Sequence, residues 1–166
     1  MRVSYANRGM ALEQMIEYAN SQYAAKGWAV IQKVATPFKV VRRGKEIVSA
    51  YPEEKSTVDF VGVSGSRALA FDAKSTMERT RFPLGNIEQH QMDFLKAWQD
   101  HGGISFFLIE FAKHREIYVV PYSSMQDYWV KAREGGRKSI PFEEMAQFAK
   151  ARQGRGVVLD YLAEVM

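Results

Sequence analysis

The stretch Thr57-Val58-Asp59-Phe60-Val61-Gly62-Val63-Ser64-Gly65-Ser66-Arg67-Ala68-Leu69-Ala70-Phe71-Asp72-Ala73-Lys74 decides how the chain folds. Two runs rich in apolar residues flank Gly65-Ser66, and a two-residue loop led by glycine between such runs predicts a β-hairpin. With Gly65 and Ser66 as the loop, Ser64 faces Arg67, Phe60 faces Phe71, Asp59 faces Asp72 and Thr57 faces Lys74. Side chains alternate along a strand. Thr57, Asp59, Asp72 and Lys74 are therefore expected on one face, with Val58, Phe60, Leu69 and Phe71 packed on the other. A one-residue slip would undo this arrangement.

Opposed residues on a ladder sit about 4.5–5.5 Å apart at Cβ, where like charges repel. Two aspartates so placed need a shared proton or a cation. Carboxylate oxygens beside a lysine suit Mg²⁺, with Mn²⁺ as a possible substitute. The pattern Asp/Glu-x-Lys says little by itself, because Glu53-Glu54-Lys55 repeats it. The residues alone leave two readings open: a metal site, or a solvated sheet face on which Lys74 makes a surface ion pair.

Before the hairpin, residues 8–26 place Leu12, Met15, Ile16, Ala19 and Tyr23 at the spacing of one buried helix face, with Gly27 as the stop. Residues 28–34 read as a strand. Residues 35–56 form a basic connection in which 38–41 and 46–48 could pair as a projecting hairpin. After the central hairpin, residues 75–86 read as a polar loop. A helix over 87–101 follows, with Asn86 as N-cap and Gly102-Gly103 as the stop.

Residues 104–111 are almost continuously apolar, the mark of a strand covered on both faces. A strand over 116–120, a helix over 123–133, a basic turn over 135–141, a short helix over 142–150 and an apolar docking tail over 157–165 complete the pass. Trp28, Phe106, Phe107, Tyr128 and Trp129 are assigned to the core. This order predicts an α/β fold with one mixed sheet, in a single domain spanning 1–166.

Composition narrows the class. The chain has 166 residues, 46% hydrophobic and 25% charged, and no cysteine. That excludes disulfides, thiolate metal sites and Cys nucleophiles. The longest apolar run, 104–109, is far short of the roughly 20 residues of a bilayer span. The first residues lack the apolar core of a signal peptide. A soluble, cytoplasmic protein with no membrane partner is expected. The net charge is +4 and the excess is uneven: residues 33–58 carry six basic and three acidic side chains, as do residues 133–155. Clustered positive charge attracts polyanions by releasing their counterions.

Several segments together resemble the RecU family of Holliday junction resolvases, a branch of the restriction-endonuclease-like PD-(D/E)xK nucleases. They are Asn7-Arg8-Gly9-Met10 with Leu12-Glu13, Ser56-Thr57-Val58-Asp59-Phe60, Phe71-Asp72-Ala73-Lys74, Phe82-Pro83-Leu84, Asn86, His90-Gln91 and Gly136-Arg137-Lys138-Ser139-Ile140. The resemblance implies a restriction-endonuclease-like mixed β-sheet flanked by helices, with residues 35–56 as a projecting basic stalk inserted in the nuclease domain. It implies Mg²⁺ ligands at Thr57, Asp59, Asp72 and Gln91, and a transition-state lysine at Lys74, so that Asp59, Asp72 and Lys74 carry catalysis. Gln91 cannot be singled out from spacing; on its own it reads as a polar residue on an exposed helix face.

The stalk is implied to enter the open centre of a four-way junction, with Lys39, Arg42, Arg43 and Lys45 on phosphates. Arg137 and Lys138 are further DNA-binding candidates, and Glu13 is a minor candidate at the metal site. Asp72 stands where the family usually has Glu, which retracts the oxygens by about one methylene. Longer members carry an arm ahead of the Asn7 position, and the recombinase contact that arm would make is not carried over.

The expected activity is Mg²⁺-dependent, structure-selective endonucleolytic resolution of Holliday junctions in recombination and repair. A homodimer is expected because a junction presents two equivalent strands. The alternatives are a same-fold nuclease acting on a flap, mismatch or restriction-type substrate, and an inactive junction-binding protein.

Overall fold

In the computed structural model, which describes residues 5–55 and 57–166 and side chains from residue 11 onward, the chain begins with α1 (Tyr5–Ala25), β1 (Ala29–Lys33), β2 (Phe38–Arg43) and β3 (Glu46–Pro52). The central hairpin follows as β4 (Phe60–Ser64) and β5 (Arg67–Thr76). Then come β6 (Arg81–Pro83), α2 (Gln89–Asp100), β7 (Ile104–Phe111), β8 (Glu116–Pro121), α3 (Tyr122–Arg133), β9 (Ser139–Pro141) and β10 (Ala149–Ala151). The side chains of Asn7, Arg8 and Met10, and the whole of Ser56, lie outside the described residues.

The central hairpin has the expected register, from Ser64 opposite Arg67 to Phe60 opposite Phe71. Gly65 takes φ +58°, the left-handed conformation this loop position demands. The main sheet runs β1-β4-β5-β7-β8-β10. Every pairing is antiparallel except β5 with β7, and α2 lies in the crossover between those two parallel strands. This is a mixed sheet flanked by helices, as expected of the restriction-endonuclease-like class.

Strand β7 explains its own composition. Phe106 and Leu108 point into the layer beneath α1, while Phe107, Ile109 and Phe111 point into the layer beneath α2 and α3. On the first face, Leu12, Ile16, Ala19 and Tyr23 pack against Phe60, Leu69 and Phe71, with Val157, Leu159, Tyr161 and Leu162 closing the layer. Met15 is exposed instead, at the edge of the helix stripe. On the second face, Met92, Leu95, Tyr122 and Met125 meet Ala70 and Val120.

Four local expectations are corrected. The α2 N-cap is Glu88, not Asn86, which ends a 3-10 turn over Leu84–Asn86. Part of the 75–86 loop is β6, paired with β9. Residues 142–150 form a 3-10 turn (Phe142–Gln147) and then edge strand β10, not a helix. Trp28 is not core: it is 38% exposed, with Lys26 Nζ 5.1 Å and Arg155 Cζ 4.8 Å from its ring centroid. Cations at those distances suit an amphipathic ring at the surface. Phe106 and Phe107 are core, whereas Tyr128 and Trp129 are partly buried beside it.

Strands β2 and β3 form a separate two-stranded sheet, exposed at every position, with a bulge between Val41 and Arg42. Gly44 at φ +62° turns the hairpin. This is the projection anticipated from residues 38–48.

Candidate functional site

Asp72 lies in the middle of the molecule because β5 has neighbours on both sides. Its strand pairs with β4 and with β7, where Phe107 is its parallel partner, and its exposure is 0%. The reading of this face as solvated is therefore overturned. Asp59 sits where the chain leaves the ladder. Val34 N–H donates to its carbonyl at 2.8 Å, and its Oδ2 accepts the Ala73 N–H at 2.8 Å. Lys74, two residues along β5, places Nζ 2.8 Å from Asp72 Oδ2.

Gln91 joins them from the first turn of α2, donating from Nε2 to Asp72 Oδ1 at 3.1 Å. It is buried, not on an exposed helix face. The helix start orients it: the Gln91 N–H donates to the Glu88 backbone carbonyl at 3.1 Å, and Gln91 Oε1 accepts the Glu88 N–H at 2.9 Å. A role as metal ligand requires the Gln91 amide to turn over.

The electrostatics follow from burial. Asp59 is pushed up to about 7, first by desolvation and second by the Asp72 charge, with the Ala73 N–H and Lys74 pulling it back. Asp72 is also raised, by burial foremost, against the opposing pull of Lys74. Two carboxylates in one dry site cannot both ionise cheaply, and one lysine does not cancel the conflict.

This donor set fits a hard divalent ion. Asp72 Oδ2 is fully buried and, although it faces Lys74, has no hydrogen bond of good geometry. Among the described residues no three His, Cys, Asp or Glu side chains gather as a metal cage. One or two carboxylates with remaining positions left to water or phosphate is how Mg²⁺ is usually held.

The remaining candidates divide. The ladder ends at Phe60–Phe71, so strict alternation does not reach Thr57. Val58 shows the break, being buried with Ala70 on the α2 side instead of with Phe60. Thr57 is exposed at this irregular approach to the strand. Glu13 is held on the α1 face by Lys33, 2.6 Å away.

Lys39, Arg42, Arg43 and Lys45 are all exposed on the projecting hairpin, and none makes an ion pair among the described residues. Arg137 reaches Glu144 at 3.5 Å, and Lys138 is exposed beside it. An open groove of about 820 Å³ passes Lys74 and is lined also by Ser75, Thr76, Arg79, Thr80 and Asn86. Arg79 on that groove was not anticipated; its only sequence signal is a basic residue in a polar loop a few positions beyond Lys74.

Residues 7–166 match the profile of the RecU family, described as recombination protein U. A Levilactobacillus brevis protein named Holliday junction resolvase RecU is 39% identical over 150 residues, covering 87% of this chain and 75% of the relative. Its namesake in Oenococcus oeni is 39% identical over 167 residues, covering 96% and 85%. Among solved structures, the Holliday junction resolvase Hjc of Archaeoglobus fulgidus aligns with a TM-score of 0.47 and 13% identity, over 81% of this chain and 94% of its own.

Proposed function

The chain belongs to the recombination protein U (RecU) family, and we propose on that premise that it is a Mg²⁺-dependent endodeoxyribonuclease that resolves Holliday junctions by paired nicks, acting as a homodimer. The observation that carries the reading is the meeting of half-buried Asp59 and Lys74 with buried Asp72 and Gln91 at the edge of an open groove. Surface ion pairs do not need such a site, and burial of two carboxylates is costly unless a cation is their partner.

Asp59 and Asp72 would hold the divalent ion, with Thr57 and Gln91 as the further oxygen donors that the family resemblance implies. When bound, such an ion lowers the pKa of a water and offsets charge on the scissile phosphate. Lys74, on the groove side of Asp72, directs its ammonium at the place where that phosphate gathers negative charge, and it stabilises the pentacoordinate oxyanion. The Ala73 N–H fixes one Asp59 oxygen and leaves the other to face the site.

Lys39, Arg42, Arg43 and Lys45 on the stalk, and Arg137 and Lys138 beyond it, supply phosphate contacts that position DNA without reading sequence. Two copies related by a twofold axis match the two equivalent strands of a junction. Residues 1–166 act as one nuclease domain, with 35–56 as its stalk.

The test is nicking of a labelled synthetic four-way junction beside matched linear duplex, in Mg²⁺, Mn²⁺ or EDTA. Paired symmetric nicks in the junction alone, lost in EDTA, are expected. Equal cutting of both substrates, or tight junction binding with no cleavage in any metal, would overturn the reading.

A further inference from the structure

Glu88 touches two parts of the molecule that are far apart in the sequence. Its Oε2 accepts from Lys55 Nζ at 3.0 Å and lies 3.1 Å from His90 Nδ1. Lys55 belongs to the foot of the stalk, just after β3 ends at Pro52. The Glu88 backbone holds Gln91 from both sides: its carbonyl accepts the Gln91 N–H at 3.1 Å, and its N–H donates to Gln91 Oε1 at 2.9 Å. A backbone N–H can only donate, so this bond fixes which end of the Gln91 amide meets Asp72. The nitrogen faces Asp72 Oδ1.

A line of contacts therefore runs from Lys55 to the Glu88 side chain, through the Glu88 backbone to Gln91, and on to Asp72 and Lys74. An open cleft of about 470 Å³ separates the stalk foot, at Thr36, Pro52 and Lys55, from the α2 start, at Glu88, His90 and Gln91, and the Lys55–Glu88 pair bridges it. Lys55 holds the Glu88 carboxyl below its usual range, so it is ionised at neutral pH.

We infer that Glu88 is a positioning residue, linking the seating of the stalk to the geometry of Asp72. The inference rests on the nuclease reading. Lys55 and Glu88 are both largely exposed, and exposed pairs contribute little to folding. Their part is geometric. One Glu88 contact is already ordered by the helix cap, so movement of the stalk foot is passed to Gln91 with little slack.

The experiment compares Lys55→Met, Glu88→Gln and the double variant. Glu88→Gln keeps the side-chain length and both backbone bonds to Gln91 and removes the charge facing Lys55, so melting temperatures should not change. Each single change should lower the maximal nicking rate at saturating junction about threefold, the scale of an exposed pair, with KM unchanged. The double variant should be no slower than the slower single, because both changes cut the same link. In DNA-free protein, hydrogen exchange of the Gln91 amide should quicken about threefold in Lys55→Met.

Losses that multiply in the double variant, a change confined to KM, or unaltered Gln91 exchange overturn the inference. Failure of the unmodified protein to cut junctions in Mg²⁺ sinks the nuclease reading instead, and the exchange measurement still decides whether the link exists.

Discussion

Two hairpins in this chain share a local grammar and meet opposite fates. Both turn on a two-residue loop led by a glycine at positive φ, Gly44 in one and Gly65 in the other. Strands β4 and β5 lie inside a six-stranded sheet with Phe60, Leu69 and Phe71 fully buried. Strands β2 and β3 are exposed throughout. A turn signal sets the hairpin but not its surroundings. What separates the two is the rest of each strand: Leu69 to Phe71 are apolar toward both layers, whereas Lys39, Arg42 and Arg43 leave β2 no dry face to offer. The same backbone device serves once to bury charge and once to present it.

The sharpest way to break this contrast is to truncate one side chain in each hairpin. Phe71→Ala removes a ring stacked between Phe60 and Phe106, at centroid distances of 5.0 and 4.6 Å, and should cost about 3–5 kcal/mol in urea unfolding. Val40→Ala on the stalk should stay within about 0.5 kcal/mol. Comparable losses would mean that the stalk folds back on the body.

Next in size is chemistry. Lys74→Ala should slow nicking by about 10²–10³-fold, while junction binding persists in gel-shift titration and circular dichroism is unchanged. Loss of fold together with activity would make Lys74 a structural partner of Asp72.

The stalk variant Arg42→Gln with Arg43→Gln should weaken junction binding about tenfold and reduce the salt slope by about two. An unchanged slope removes these arginines from the interface.

The smallest effect is on stability against pH. Asp59 is raised in the fold from the ordinary carboxylate range to about 7, so its contribution is full below about pH 4 and is lost as pH rises through about 7. In EDTA, Asp59→Asn should raise the melting temperature by a few degrees at pH 8 and by less at pH 5. An equal gain at both values would dissociate Asp59 from the charge conflict.

The sequence carried much of this site because the relevant pairing is local. Loop length alone sets Phe60 across from Phe71, which brings Asp59, one step past the end of the ladder, against Ala73 beside Asp72, and the β7 run declares a strand covered on both faces. Thr57 was read by extending a period-two rule past the end of the ladder, where Val58 turns to the other layer. Gln91 could not be located from spacing, since its meeting with Asp72 needs the parallel β5–β7 pairing and the α2 crossover between them. The α2 cap was missed because Glu is an uncommon capping residue, and here it acts only in concert with Gln91. Residues 142–150 read as helix by composition, yet the open edge of β8 claims Ala149–Ala151 as a strand.

The layer beneath α1 also has a consequence in time. Tyr23 bonds Asp160, and Tyr161 bonds Asn20, across 137 and 141 residues of chain. On a ribosome, the first helix is therefore made long before the segment that covers it. Until residues 157–162 emerge, Ile16, Ala19 and Tyr23 have part of their apolar surface facing water.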